Sequence, residues 1–395
     1  MKHFNAFIAG FLIVKGALWA QILPKLGNDT LLDVACWNIE WFGDVTNGPS
    51  NEQLQYNNVK RVLTETDLDV WGLCEVSNTS TYATLMGELS NLYNGYISDF
   101  SATQKTALLY KKNMFTLIPA LSFNISLNAT QNFHFASRPP LQVALQTIGG
   151  NKTDTIFFIV VHLKALSDQD SYNRRVASSA FLKTYVEQNL TGKKFMIIGD
   201  WNDMLRFSTF NQQTTPFKNL LDANYWFISK PLEEAGRRSY AFSASFIDHI
   251  MISHTLDSFY INNSAGVWDN AGTFINNFSN NTSDHYPVYG WFNWKNLTTL
   301  PNADTITTST VATIKNPVVQ VYPNPANKQI QIIFNDGKNI TAQLVNTAGK
   351  TVAIASGNHY LTIQTEDLPE GIYWLLVQAN NEVIMRKKIV IARYE

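Results

Sequence analysis

Met196-Ile197-Ile198-Gly199-Asp200-Trp201-Asn202-Asp203 is an apolar strand that runs into a polar turn. Gly199 marks a turn or a close backbone approach. Asp200 and Asn202, two residues apart, point the same way in an extended chain. Scaffolds commonly present functional groups at such strand ends. The same construction recurs on both sides of this stretch. Upstream lies Ala35-Cys36-Trp37-Asn38-Ile39-Glu40-Trp41-Phe42, where alternation places Asn38 and Glu40 on one face and Trp37, Ile39 and Trp41 on the other. Trp71-Gly72-Leu73-Cys74-Glu75-Val76 ends on a carboxylate, and Ile159-Val160-Val161-His162-Leu163-Lys164 puts His162 and Lys164 on a shared face. Downstream come Phe246-Ile247-Asp248-His249-Ile250 and Ser283-Asp284-His285-Tyr286-Pro287-Val288.

Singly, each segment has an ordinary explanation, since Asn and Asp at strand ends often cap or turn the chain. Together they assemble a chemistry. Carboxylate and amide oxygens are hard ligands for Mg²⁺, Mn²⁺ or Ca²⁺. An imidazole beside a carboxylate is an oriented general base. Acids, amides and two histidines are what metal-assisted hydrolysis of a phosphate ester requires. Phosphodiesters are inert enough that such a site must lower the barrier by roughly 20 kcal/mol, so several effects must converge.

From about Leu31 to Trp294, short apolar strands alternate with amphipathic helices, which predicts a layered α/β domain. Ser50-Asn51-Glu52-Gln53 resembles a capping box, followed by Leu54, Val59, Val62 and Leu63 at helical spacing. Ser171 to Leu190 predicts a second helix, with Val176, Ala177, Ala180, Phe181, Tyr185 and Val186 on one face. Residues 297–316, rich in Thr, Ala and Asn, read as a linker. Beyond it, residues 317–395 hold closely spaced short strands separated by turn signals such as Asn335-Asp336-Gly337, the pattern of a small all-β sandwich.

The chain has 395 residues, 45% hydrophobic and 15% charged, so it can bury a core. Its 30 basic and 31 acidic residues leave a net charge of -1, which excludes a globally basic nucleic-acid coat and leaves an anionic substrate to a local patch. Residues 1–20, with Lys2 ahead of an apolar stretch, read as a signal peptide rather than a membrane span. Export permits a disulfide between Cys36 and Cys74, but each sits in an apolar strand, and buried free thiols are the simpler expectation.

In order and content, the segments between Leu31 and Trp294 resemble the endonuclease/exonuclease/phosphatase family of DNase I-like enzymes. Gly199-Asp200-Trp201-Asn202 and Ser283-Asp284-His285 are the most specific pieces. The resemblance implies a four-layer α/β/β/α sandwich over residues 28–296 and a phosphodiester hydrolase. By the same resemblance, Glu75 would be the main metal ligand, with Asn38 supporting the metal or its water and Asp284 a further metal or orienting residue. His285 would be the general base held by Asp248, while Asp200 and Asn202 would position phosphate and nucleophile. His162 would assist the leaving group, and Arg138 would contact phosphate. Mg²⁺ is the expected ion, with Mn²⁺ or Ca²⁺ as alternatives. Two departures stand out. Cys74 replaces the amide that usually precedes the metal-binding Glu, and no carboxylate stands near Gln104 to pair with His162.

The block after the linker resembles a type IX secretion sorting domain. Val321-Tyr322-Pro323-Asn324-Pro325-Ala326, Leu368-Pro369-Glu370-Gly371-Ile372-Tyr373 and Lys387-Lys388-Ile389-Val390 carry the likeness. It implies a secreted or cell-surface protein that engages the type IX machinery. The resulting expectation is a monomeric extracellular nuclease acting on DNA or RNA, with Lys164, Arg238 and Tyr240 joining Arg138 at the substrate. The alternatives are a sphingomyelinase-like lipid phosphodiesterase, which should expose an apolar docking hairpin, and a sugar or inositol phosphatase.

Overall fold

The computed structural model describes residues 22–148, 154–294, 319–334, 339–346, 350–357, 360–379 and 382–393. The signal-peptide reading of residues 1–20 and the linker reading of 297–316 fall outside them. The chain divides into two units, Met1–Asn302 and Ala303–Glu395.

The strands of the first unit are β1 (Leu32–Phe42), β2 (Val70–Val76), β3 (Tyr93–Ile97), β4 (Lys105–Lys111), β5 (Phe115–Leu117), β6 (Phe123–Asn124), β7 (Leu141–Thr147), β8 (Thr155–His162), β9 (Lys194–Asp200), β10 (Trp226–Phe227), β11 (Asp248–Ile252), β12 (Gly266–Val267) and β13 (Val288–Phe292). They form two mixed sheets, one ordered β12-β13-β1-β2-β4-β3 and the other β10-β11-β9-β8-β7-β5, with β6 also paired to β7. Period-two alternation decides what each face meets. Ile156, Phe158 and Val160 of β8 share a core with Val34, Cys36 and Val70 of the opposing sheet. Their neighbours Phe157, Ile159 and Val161 join Leu182 and Val186 of a covering helix instead. At Gly72 the two sheets come so close that a Cβ would lie 2.6 Å from Ile198 Cδ1.

The helices that matter here are α1 (Glu52–Glu65), α2 (Thr79–Glu88), α3 (Ala129–His134) and α4 (Gln169–Asn189). The cap of α1 is Asn51, whose side chain accepts from Leu54 N, one residue later than the capping-box reading placed it. In α4 the buried face overlaps the predicted one only in part. Val186 is buried and Phe181 and Tyr185 pack against the core, but Ser171, Arg175, Ser178, Ser179 and Leu182 also point inward, while Val176 and Ala180 are exposed. A buried ion pair between Arg175 and Asp203, 2.9 Å apart, turns the helix toward polar partners that an apolar-periodicity argument cannot anticipate. Both cysteines are buried free thiols, lying between the sheets.

The second unit is a small β-rich fold. Strands β14 (Val319–Tyr322), β15 (Gln329–Phe334), β16 (Ile340–Asn346), β17 (Thr351–Gly357), β18 (Tyr360–Gln364), β19 (Gly371–Ala379) and β20 (Glu382–Ile391) make a sheet β14-β15-β18 and a sheet β17-β16-β19-β20. Ile330, Ile332, Leu344, Leu375, Val377 and Ile389 share its core. Among the described residues, no helix is long and apolar enough to cross a membrane.

Candidate active site

The polar segments converge because their strands end at the same edge of the two packed sheets. Asn38 pairs in register with Cys74, and Asp200 lies between His162 and Asp248 across neighbouring strands. Gly199 is required where it stands. Its φ is +133°, and a Cβ there would lie 2.2 Å from Val161 O.

Alternation alone does not build the metal-side corner. Glu40 and Trp41 have φ of 46° and 47°, and Glu75 itself has φ of 64°. The β1–β2 register shifts between Asn38 and Phe42, and β2–β4 shifts around Glu75. Such bulges re-aim side chains beside active sites. Here the bulge turns Trp41 N onto Glu75 Oε2 at 2.9 Å. Asn38 Nδ2 donates to both Glu75 Oε1 and Asp200 Oδ2 at 3.1 Å, while its own oxygen accepts from Glu40 N. Asn38 therefore offers the cluster its amide nitrogen, which holds two carboxylates in place. Cys74 points away, its thiol donating to Val161 O between the sheets.

His285 Nδ1 lies 2.8 Å from Asp248 Oδ2, and its Nε2 lies 3.9 Å from carboxylate oxygens of both Asp200 and Asp284. Burial disfavours the imidazolium, but Asp248, Asp200 and Asp284 outweigh it and raise the proton affinity of His285 well above the usual range. His162 is the opposite case. Burial, then Arg138, then His285 hold it well below the usual histidine value, so it is neutral. Its Nε2 sits 3.6 Å from Glu75 and from Asp200, and its buried Nδ1 has no hydrogen-bond partner among the described residues.

Glu40, which alternation puts on the face of Asn38, carries no expected role in the site. Its Oε2 accepts from Asp284 N at 3.0 Å, and burial, followed by repulsion from Asp284, pushes its carboxyl up to about 8. Asp200 is raised to about 7, mainly by burial, with Asp248 adding to it, and Asp284 is raised too. Acids crowded this closely raise one another's proton affinity, and His285 offsets only part of that. A hard divalent cation with oxygen ligands would supply further positive charge, so these residues fit the implied metal. Asp200, Asp248 and His285 present donor atoms within 4.8 Å of one another, a group that could hold a metal ion.

The expected phosphate-binding residues are placed less simply. Arg138 is buried, and its guanidinium donates to His162 O, Leu163 O and Gln104 Oε1. Its donors are committed to carbonyls where β8 ends and to Gln104, so it does not present a free fork to phosphate. Lys164 Nζ bonds Ala165 O. Arg238 is exposed and bonds only weakly to Ala241 O at 3.3 Å, and Tyr240 packs its ring 5.2 Å from that of His285. Arg237 pairs with Asp269 at 2.6 Å. Glu233 accepts from the backbone N–H groups of Leu205 and Arg206. Trp201 is fully buried in the core and cannot stack on a base.

His249, beside Asp248, is a buried structural histidine. Its Nδ1 faces Ser229 Oγ and its Nε2 faces Asp203 O, both at 3.0 Å, a set that satisfies the neutral ring. Burial lowers its value from 6.5 to about 4. Because the unfolded chain binds this proton more readily, the neutral ring stabilises the fold fully above pH 6.5. That contribution is lost as pH falls toward 4, about 3 kcal/mol in all. Urea unfolding of the wild type and His249→Gln should therefore show a stability gap wider at pH 7 than at pH 4 by about that amount. A gap independent of pH would contradict this assignment.

Oxygen-rich acids, a His–Asp dyad and a neutral second His, gathered at one edge of a two-sheet α/β fold, define a metal-dependent hydrolase. The Endonuclease/Exonuclease/phosphatase family profile matches residues 35–285, and the chain belongs to that family. A Secretion system C-terminal sorting domain follows at residues 320–392. No curated protein matches the chain. Among solved structures, an endonuclease/exonuclease/phosphatase from Beutenbergia cavernae is 13% identical with a TM-score of 0.49, covering 92% of this chain and 100% of that one. D. rerio TDP2 complexed with single strand DNA product is 14% identical at 0.49, covering 67% of this chain and 100% of its own. A family protein from Bacteroides thetaiotaomicron is 14% identical at 0.45, over 67% and 97% respectively.

Proposed function

We propose that this chain is an exported nuclease that hydrolyses phosphodiesters of DNA or RNA. The observation that carries the proposal is the Asp248–His285 pair aimed at Asp200 beside Glu75, inside an open cavity. His285 Nε2 takes the proton of the attacking water, and Asp248 holds the tautomer and stabilises the imidazolium. Asp200 and Asn202 orient the water and the phosphate. His162, being neutral, donates its Nε2 hydrogen to a phosphate or leaving oxygen. Glu75, with Asp284 and Glu40 beside it, would hold the divalent metal, and Asn38 fixes the carboxylates. When bound, that metal supplies Lewis-acid stabilisation of charge on the phosphate oxygens. Arg238 and Tyr240 flank the substrate.

The catalytic unit is taken as a four-layer α/β/β/α sandwich over residues 28–296, with α4 covering one sheet and α1 packed in the core of the other. The second unit, 317–395, is taken as a small β-sandwich that directs export through the type IX machinery, after the signal peptide at 1–20 and the linker at 297–316. The lipid alternative loses support because the aromatics of 207–217 and 225–227 are packed or partly buried, leaving no apolar hairpin there.

The test is an assay of purified protein on plasmid DNA, RNA and sphingomyelin, each with Mg²⁺, Mn²⁺ or Ca²⁺. DNA or RNA cleavage is expected. Efficient sphingomyelin hydrolysis with both nucleic acids left intact would overturn the substrate assignment.

A further inference from the structure

Leu166 has no role in the fold that explains its placement. Its φ is +80°, a conformation that bulky residues rarely adopt. Its side chain is 68% exposed, yet it lines the cavity that holds Glu75, His162, Asp200 and His285. The conformation is imposed from below. Arg175, wholly buried on α4, donates through Nη1 to Lys164 O at 2.7 Å and to Leu166 O at 2.8 Å. The same guanidinium pairs with Asp203, which also accepts from Ser208 Oγ and from Thr209 N, and Thr209 lines the same cavity. One buried ion pair thus fixes two parts of the rim without placing its charge on the surface.

An aliphatic side chain held in water on strained backbone contributes nothing to stability, so its use lies with what enters the cavity. Apart from Ala165 and the buried Ile247, the rest of the mouth is hydroxylic: Ser167, Thr209, Ser243 and Ser245, with Tyr240. An acyl chain would desolvate those hydroxyls without replacing their hydrogen bonds. A bare sugar would have little use for an exposed leucine. A nucleoside, with an apolar face and polar edges, suits both.

We propose that Leu166 is a specificity-determining residue that packs against the nucleoside next to the scissile phosphate. This rests on the nuclease reading above. The full chain is tested on two diesters with the same leaving group, the p-nitrophenyl ester of thymidine 5′-monophosphate and methyl p-nitrophenyl phosphate. Leu166→Ala should lower kcat/KM about tenfold on the nucleoside ester, mainly through KM, and leave the methyl ester within about twofold. Leu166→Gly, which also relieves the backbone, should show the same selective loss with a thermal midpoint at or above that of the wild type. Leu166→Met should restore the preference. A wild type that cleaves DNA, with variants that lose both esters equally or neither, overturns this inference and leaves the nuclease reading standing. A wild type that leaves DNA, RNA and the nucleoside ester intact overturns both.

Discussion

His285→Ala is expected to lower kcat by about a thousandfold, within the range that general acid–base groups contribute. The imidazole's Nε2 faces the acids while its other nitrogen is tied to a buried carboxylate. Its proton affinity is raised by Asp248, Asp200 and Asp284, so a cation sharing those acids is needed for a neutral base near pH 7. The alanine variant carries a second effect. Asp248 is fully buried, its Oδ1 already lacks a partner among the described residues, and losing His285 would strand the whole carboxylate. That costs on the order of 3–5 kcal/mol, which would confuse inactivity with unfolding. His285→Asn separates the two, because its amide N–H can still reach Asp248 but offers no base. Rate and thermal unfolding measured on both variants should show two inactive proteins, with the asparagine variant the more stable. Near-wild-type turnover in a folded asparagine variant would remove His285 from the mechanism.

Much of this site was legible in the sequence because its residues end apolar runs. Strands β2, β7 and β8 begin and end where their apolar runs do. Strand pairing then brings Asn38, His162, Asp200 and Asp248 to one edge, while the bulge at Glu75 and the segment before β13 that carries His285 complete the cluster. What could not be read depends on backbone and on buried charge. The left-handed residues Glu40, Trp41 and Glu75 break the alternation that the strand pattern assumes, and this is how Trp41 N comes to Glu75. Arg138 is expected at phosphate and Arg175 carries no expectation from sequence, whereas the fold uses both to bond carbonyls of the irregular segment from His162 to Leu166. A buried arginine has no periodic signature, since its partners are backbone oxygens fixed only by tertiary structure. Asp203 could have been suspected from its place beside Asn202, but nothing in the sequence links it to Arg175.

Glu75→Gln should weaken Mg²⁺ or Mn²⁺ binding by at least about tenfold, the smaller loss seen when even a supporting partner of a metal ligand is removed. The substitution keeps shape but deletes the charge that a hard cation requires. It also meets a local conflict. Glu75 accepts from Asn38 Nδ2 through one oxygen and from Trp41 N through the other, so an amide must turn its NH₂ toward one of these donors. Against that, the variant relieves repulsion, because Glu75 contributes to the raised values of both Glu40 and Asp284. The two effects oppose each other in the metal-free protein, so its stability should change little, and the loss should appear only when metal is added. At a metal concentration 100 times the wild-type Kd, binding stabilises the wild type by about 2.7 kcal/mol. A tenfold weaker site retains only about 1.4 kcal/mol at the same concentration. Thermal unfolding with and without the ion, paired with calorimetric titration, reads this difference without any assay of activity. An unchanged metal-dependent shift in the variant would place the ion away from Glu75 and transfer the role of principal ligand to Asp200 and its neighbours.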